Sequence, residues 1–536
     1  ANTSLPLPRY RTPAMLSALL HISLLLALPC TQLATRGFLE RNRTVRNIPK
    51  AEAPATLALL SESESDLQPE RANRVRRALK HLWSGYKKAA WGFDEVRPIT
   101  GGGGEDMGEV GMFILDTLDT LWLAGLKEEF AEGERWVSQL QLPKLNHPAL
   151  FSLFEINIRA VAGLLSAYAL SGHQVFLQKA RLFGNRLLQG FPKPGSKHVW
   201  PVESIDVHSP SNVEVVSEQH ETTTYLANVG TNILEFAYLT EATGDKRYAR
   251  AAQSVLDRIL KISEDQALAP MDLDPYAARF ATQHVTVGPM GDSYFEYLLK
   301  RYLQGGCKEH DLLVTWKTAM EEMRKGLLSR SQVGDLTWIA SWAERDNPPS
   351  DNINPQSIGM DHLACYVGGM LALASRFVPE EEVEDWWLPT GIEVTRTCYE
   401  MYQLSPSGLA PDSVVFDDNG MQTADASFRL RPETLESLFY LFRVTGNITY
   451  REMSWKIFQS IDDNLKTEYG YAMAADVMET PLQKEDAEAT WMGAETLKYA
   501  LLTQMPPEKL PLDKFTFNTE AHPLPAASGC VRNSRA

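Results

Sequence analysis

The sequence predicts an all-α fold, a closed barrel of antiparallel helical hairpins. The first observation is a shared plan in residues 164–188, 234–260 and 435–461. Each has an apolar helix ending at a glycine (Gly172, Gly244, Gly446), a polar residue, and a second, amphipathic helix. Glycine supplies the left-handed residue that ends a helix, and a short loop returns the chain antiparallel. The second observation is that the first helix of each hairpin is apolar on most sides, so it must be buried all round. The third is the irregular spacing of the units and the long loops between them, which argues against an open stack of identical repeats.

Taken in chain order, Arg9 and Arg11 precede an apolar run from Ala14 to Leu28 closed by Pro29. That pattern predicts secretory targeting over residues 1–35, as a signal peptide or a signal anchor in the manner of a type II membrane protein. Residues 36–70 lack periodicity and read as a stem. A catalytic domain is expected over 71–525 and a tail over 526–536. The "GGGG" at 101–104 reads as a flexible connection, because no Lys-Ser/Thr pair follows to make a phosphate loop. The net charge of −16 argues against a nucleic-acid partner. None of the five cysteines forms a CxxC pair, which favours disulfides over a metal cluster. Cys365 and Cys398 both sit in apolar surroundings and are paired, leaving Cys30 in the targeting segment and Cys307 and Cys530 as free thiols. Asn42-Arg-Thr and Asn447-Ile-Thr are N-glycosylation sequons that suit a luminal face.

Carboxylates interrupt apolar helices. In "ALFSLFEINIRAVAGLLSAY", Glu155 and Arg159 run along a narrow polar seam between apolar stripes. The pair reads either as a surface i,i+4 ion pair or as a lining of the barrel lumen. Asp292 and Glu296, Glu433 and Glu436, Glu495, and Asp116 and Asp119 are similar intrusions near helix starts. Together they predict carboxylates converging on one end of the barrel. Such a group suits glycosidic-bond cleavage by an acid–base pair, or a hard cation that takes oxygen ligands.

The motifs "AWGFDEVRP", "ILDTLDTLW", "LFEINIRAVAGLLSAY", "GDSYFEYLLK", "MDHLACY", "LRPETLESLFYLFRVTG", "AETLKY" and "FNTEAHPLP" occur in that order. Together they resemble the class I α-1,2-mannosidases, glycoside hydrolase family 47. The resemblance implies an (αα)7 barrel whose one end is plugged by a small C-terminal β-hairpin. It implies inverting, Ca²⁺-dependent hydrolysis of α-1,2-linked mannose from high-mannose N-glycans in the ER or Golgi, by a monomer. By resemblance Thr519 holds Ca²⁺ through its hydroxyl and carbonyl, Glu155 is the general acid, Glu433 the base, and Asp292 a third catalytic carboxylate. Arg159, Arg431, Glu436 and Glu495 match pocket residues, Trp491 the aromatic that stacks on the sugar, and Cys365–Cys398 the family disulfide. The chain departs from the family pattern at Asn228, Met290, Asp412 and Met492, which bears on branch preference. The alternative expectation is a mannose-recognising factor of ER quality control with weak hydrolysis.

Overall fold

A computed structural model describes residues 67–209, 223–345, 353–355 and 357–530. The targeting segment, most of the stem and the Asn42 sequon lie outside the described residues. Seven long helices are buried on nearly every face: 112–123, 153–171, 233–243, 292–304, 366–377, 433–445 and 492–504. Each packs on the next, and the last returns to the first, so the ring is closed. Seven more helices bury one side only and form the outer layer: 69–89, 127–139, 174–187, 247–262, 310–326, 387–401 and 448–464. Each follows its inner partner in sequence except one. The inner helix 492–504 takes Pro69–Ala89 from the start of the domain as its outer partner, so the chain ends close the barrel between them.

The expected glycines do end their helices. Gly172, Gly244 and Gly446 have φ of 75°, 75° and 68°, the left-handed region that a side chain disfavours. Because inner and outer helices alternate antiparallel, all seven inner helices point the same way. Their starts, with the positive ends of their dipoles, gather at one end of the barrel. The longer connections run from outer to inner helices and therefore lie at that end, where short antiparallel strands stiffen them. Gly103 and Gly104 belong to one such strand, paired with Glu95 and Val96. The glycine run is thus half ladder, not simply a flexible link. Leu153–Ser171 is long and apolar enough to cross a membrane, but it is buried as an inner helix. Gly163 lets it lie against the first inner helix, since a Cβ there would meet the Leu115 carbonyl at 2.3 Å.

Phe515–Phe517 pairs antiparallel with Pro523–Pro525 to form the plug. Phe517 packs its ring against Phe439 and Tyr499 from two inner helices. The turn between the strands is held by charge. His522 Nδ1 lies 2.9 Å from Asp119, and Nε2 lies 3.0 Å from Asp116. Both ring nitrogens therefore donate, and the imidazole is protonated; the two carboxylates hold its pKa above the ordinary value despite burial. Lys498 completes the clamp, 2.9 Å from Asp119 and 2.7 Å from the Ala521 carbonyl. Asp116 and Asp119, expected among the lumen carboxylates, are instead fully buried anchors of the plug.

Cys365 and Cys398 are bonded. The expectation of free thiols fails at Cys307 and Cys530, which form a second disulfide. Sequence gave no apolar context for that pair: the bond ties the end of an inner helix to the segment after the plug.

Removing one member of a buried charge cluster costs about 3–5 kcal/mol, because its partners stay buried and uncompensated. Asp119→Ala is expected to lower the unfolding free energy by that amount; a loss below about 1 kcal/mol would contradict the clamp. The pH dependence has a definite sign. Asp119 is held down to about 2 by Lys498 and His522 against desolvation, so its contribution is present above the ordinary Asp range and fades as pH falls toward that value. The contribution of His522 is full below its ordinary pKa and fades as pH rises through the raised one.

Candidate active site

The starts of the inner helices bring the expected residues to one end of the barrel. Glu155 is the third residue of its helix, with Ser152 as N-cap. The next turn, Ile156–Val161, widens into a π-helix, and Met492–Thr496 does the same after Trp491. Such single wide turns frequently occur at functional sites. Here they hold Arg159 and Glu495 where the two helices face the plug.

Arg159 is the hub of one half. Its Nε donates to Glu155 at 2.7 Å, and its Nη1 donates to Glu520 at 2.6 Å and to Asp116 at 3.3 Å. Its guanidinium also stands over the Trp491 ring, 5.3 Å from the centroid. The Glu155–Arg159 pair is therefore not a solvent-face pair: the Arg159 side chain is only 5% exposed. Trp491 donates its indole N–H to the Arg429 carbonyl at 2.9 Å, which fixes the plane of the ring.

Lys300 is the hub of the other half, bonded to Glu296, 3.6 Å from Glu436, and 3.4 Å from the Asn518 carbonyl. Glu433 opens its helix and accepts a hydrogen bond from His362 Nδ1 at 2.7 Å. His362 Nε2 lies 3.1 Å from the Thr434 hydroxyl and 3.2 Å from that of Tyr402, which fixes the ring orientation. Arg431 binds Asp412, 3.3 Å from its Nη2, and stands 4.0 Å from Glu433. Asp292 opens its helix and accepts from the Ser293 N–H at 2.7 Å.

Thr519 sits at the tip of the plug between two fixed neighbours. The Asn518 side-chain amide donates to the Ile158 carbonyl at 2.8 Å and to Glu235 at 3.0 Å, and its oxygen accepts from the N–H groups of Glu520 and His522. Thr519 N–H faces the Tyr297 hydroxyl at 3.4 Å. The polar middle of "FNTEAHPLP" is thus a turn held to the barrel wall through the side chains of Asn518, Glu520 and His522.

The electrostatics are lopsided. Burial pushes Glu436 and Glu520 up to about 8, against the pull of Lys300 and Arg159 respectively. Burial, then the charges of Glu520 and Glu433, push Glu495 well above the carboxylate range. Burial, reinforced by Glu296 and Glu433, pushes Asp292 up to about 7. Arg159 and Lys300 do not offset the burial and mutual repulsion of all these carboxyls. A cation would relieve that surplus. The available donors are oxygens, and the four described cysteines are tied up in disulfides. This donor set fits a hard cation. Among the described residues no group of three or more His, Cys, Asp or Glu side chains is arranged to hold a metal by itself.

His362, Lys300, Tyr297, Glu235 and Asn518 were not singled out as site residues by sequence. His362 lies within the "MDHLACY" motif and Asn518 within "FNTEAHPLP", so both were in view. Lys300 and Tyr297 lie one helical turn or less from Glu296, on a stretch that reads as ordinary core. At the positions that depart from the family pattern, Asn228 binds Glu203, Asp412 binds Arg431, and Met492 is fully buried. Met290 is 43% exposed with φ of 72°.

A family model described as Glycosyl hydrolase family 47 matches residues 78–526. The chain is 38% identical over 469 residues to a mannosyl-oligosaccharide 1,2-alpha-mannosidase of Arabidopsis thaliana, covering 86% of this chain and 80% of that one. It is 38% identical over 461 residues to the endoplasmic reticulum mannosyl-oligosaccharide 1,2-alpha-mannosidase of Homo sapiens, covering 83% of this chain and 62% of that relative. Among solved structures, the alpha-1,2-mannosidase from Trichoderma reesei superimposes with a TM-score of 0.77 at 24% identity, covering 86% of this chain and 99% of that one. At that identity the likeness concerns the fold, and it agrees with the two-layer ring of helices.

The raised Asp292 makes a prediction of its own. A carboxyl with its folded pKa above the unfolded value of 3.8 destabilises the protein increasingly as pH rises toward about 7. Asp292→Asn is therefore expected to stabilise the fold by an amount that grows between those pH values and levels off above them, on the order of 4 kcal/mol at about 1.36 kcal/mol per unit. Unfolding of the two proteins compared across pH checks this. A pH-independent difference would contradict it.

Proposed function

The chain belongs to glycosyl hydrolase family 47, and from that premise we propose that it hydrolyses terminal α-1,2-linked mannose from high-mannose N-glycans in the lumen of the ER or Golgi. The observation that carries this reading is a carboxylate, Glu433, held by His362, on the same barrel end as Asp292, which burial pushes up to about 7. Inverting hydrolysis needs one group of each kind on opposite sides of the scissile bond, with a water between.

Glu433 takes the proton of the attacking water. His362 Nδ1 donates to its Oε2 at 2.7 Å and so fixes the carboxylate's orientation. The proton for the leaving oxygen comes from one of the other two catalytic carboxylates, Glu155 and Asp292. Glu155 accepts from Arg159 Nε at 2.7 Å, whereas burial, reinforced by Glu296 and Glu433, pushes Asp292 up to about 7. We therefore assign Asp292 as the group that retains the proton, with Glu155, oriented by Arg159, as a further catalytic carboxylate. Trp491 offers a ring for a sugar face, and Arg431 and Glu436 offer hydrogen bonds to its hydroxyls. Thr519 would hold Ca²⁺ through its hydroxyl and carbonyl, with Glu155, Glu433, Glu436, Glu495 and Glu520 orienting the waters around it. Bound there, the cation would supply positive charge against the surplus of carboxylates and help position sugar hydroxyls and water.

A nine-mannose N-glycan incubated with the protein and Ca²⁺, with products read by mass, tests the reading. Stepwise loss of mannose is expected, stopping when excess chelator is added. Glu433→Gln should lower kcat by roughly 10²–10⁴, the usual contribution of one acid–base group. The alkaline limb of kcat/KM should fall near pH 7 and disappear from the residual activity of Asp292→Asn. Glycan binding with no release of mannose would overturn the hydrolytic reading and favour the recognition factor.

A further inference from the structure

Outside the active site, the sequon Asn447-Ile448-Thr449 occupies an unusual place in the fold. It forms the turn between the inner helix Glu433–Thr445 and the outer helix Ile448–Asn464. Asn447 is the N-cap of the outer helix: its Oδ1 accepts from the Thr449 N–H at 3.0 Å, and its own N–H donates to the Thr445 hydroxyl at 3.1 Å. The cap uses only the side-chain oxygen. Among the described residues no hydrogen bond involves Asn447 Nδ2, the atom that N-glycosylation modifies. Replacing one of its hydrogens by a sugar leaves the cap intact.

The surroundings are open on every side that a glycan would need. Asn447 and Thr449 are exposed, and a Cβ added at the preceding Gly446 would meet nothing within 4 Å. Ile448 is 59% exposed, an isolated apolar side chain that the first sugar could cover. The turn also lies at the far end of the barrel. Glu433 opens the inner helix that Asn447 follows, so about 20 Å of helix at 1.5 Å per residue separates the turn from the catalytic end. A glycan here leaves the mouth of the barrel clear.

We propose that Asn447 carries an N-linked oligosaccharide. The inference rests on the luminal location argued above. The donor is an oligosaccharide linked to a polyisoprenyl lipid through a diphosphate. Asn447 Nδ2 attacks the anomeric carbon, the N–C bond forms as the C–O bond to the diphosphate breaks, the nitrogen gives up one proton, and the lipid diphosphate departs. No oxidant or reductant enters.

The full chain, placed behind a cleavable secretory signal and expressed in a eukaryotic host, provides the test. The peptide containing Asn447 should carry a glycan at majority occupancy, and peptide N-glycosidase in heavy-oxygen water should convert Asn447 to labelled Asp. Thr449→Ser should keep the glycan and Thr449→Ala should lose it. Asn447→Gln should trim mannose at the wild-type rate. Passage through the lumen is read independently from the oxidised Cys365–Cys398 peptide pair. An unmodified Asn447 peptide in protein with that disulfide formed would overturn the proposal, whatever the mannosidase assay shows.

Discussion

A protonated histidine between two buried carboxylates fixes the geometry of this barrel. His522 stands on the plug, Asp116 and Asp119 on the first inner helix, and Lys498 on the last. The clamp therefore crosses the seam where the ring of helices closes. No hydrophobic contact would set the rotation of the plug so narrowly, because apolar packing is non-directional whereas these bonds require particular atoms to meet. The plug in turn delivers Thr519 and Glu520 to the site, and Glu520 orients Arg159, which orients Glu155. The site inherits its geometry from the charges beneath it.

Above that floor the protein tolerates an unusual density of acid. Seven parallel inner helices direct their positive ends toward the site, and Arg159 and Lys300 add two full charges. Even so, burial pushes Asp292, Glu436, Glu495 and Glu520 above the ordinary carboxylate range. A site optimised only for stability would not carry that surplus. Perturbed acids of this kind are what proton transfer and cation binding require, and they make the barrel end reactive at a cost to the fold.

Much of this was legible in the sequence, and the limits have physical causes. The helix–Gly–helix plan gave the hairpins because glycine is needed wherever a helix ends in the left-handed region. The lumen carboxylates stood out because acids rarely interrupt an apolar helix without a purpose. Asp116 and Asp119 had the same appearance but serve the clamp, since periodicity reports burial and not the partner that compensates a buried charge. Lys300 and His362 were passed over for the related reason that a long or aromatic side chain blends into a core pattern. The Cys307–Cys530 bond joins residues 223 apart, a proximity created only when the plug is seated. The two π-helical turns leave no sequence signal at all, because a single wide turn reflects tertiary packing and not local propensity.

The account turns on Glu433 activating water opposite the departing sugar, and the stereochemistry of the first product tests that most directly. Proton NMR of the reaction, recorded before mutarotation, distinguishes the anomers of released mannose. Direct displacement by water on an α-linkage predicts β-mannose as the first product. Initial release of α-mannose would mean a covalent intermediate on a carboxylate, and would contradict the roles assigned to Glu433 and Asp292.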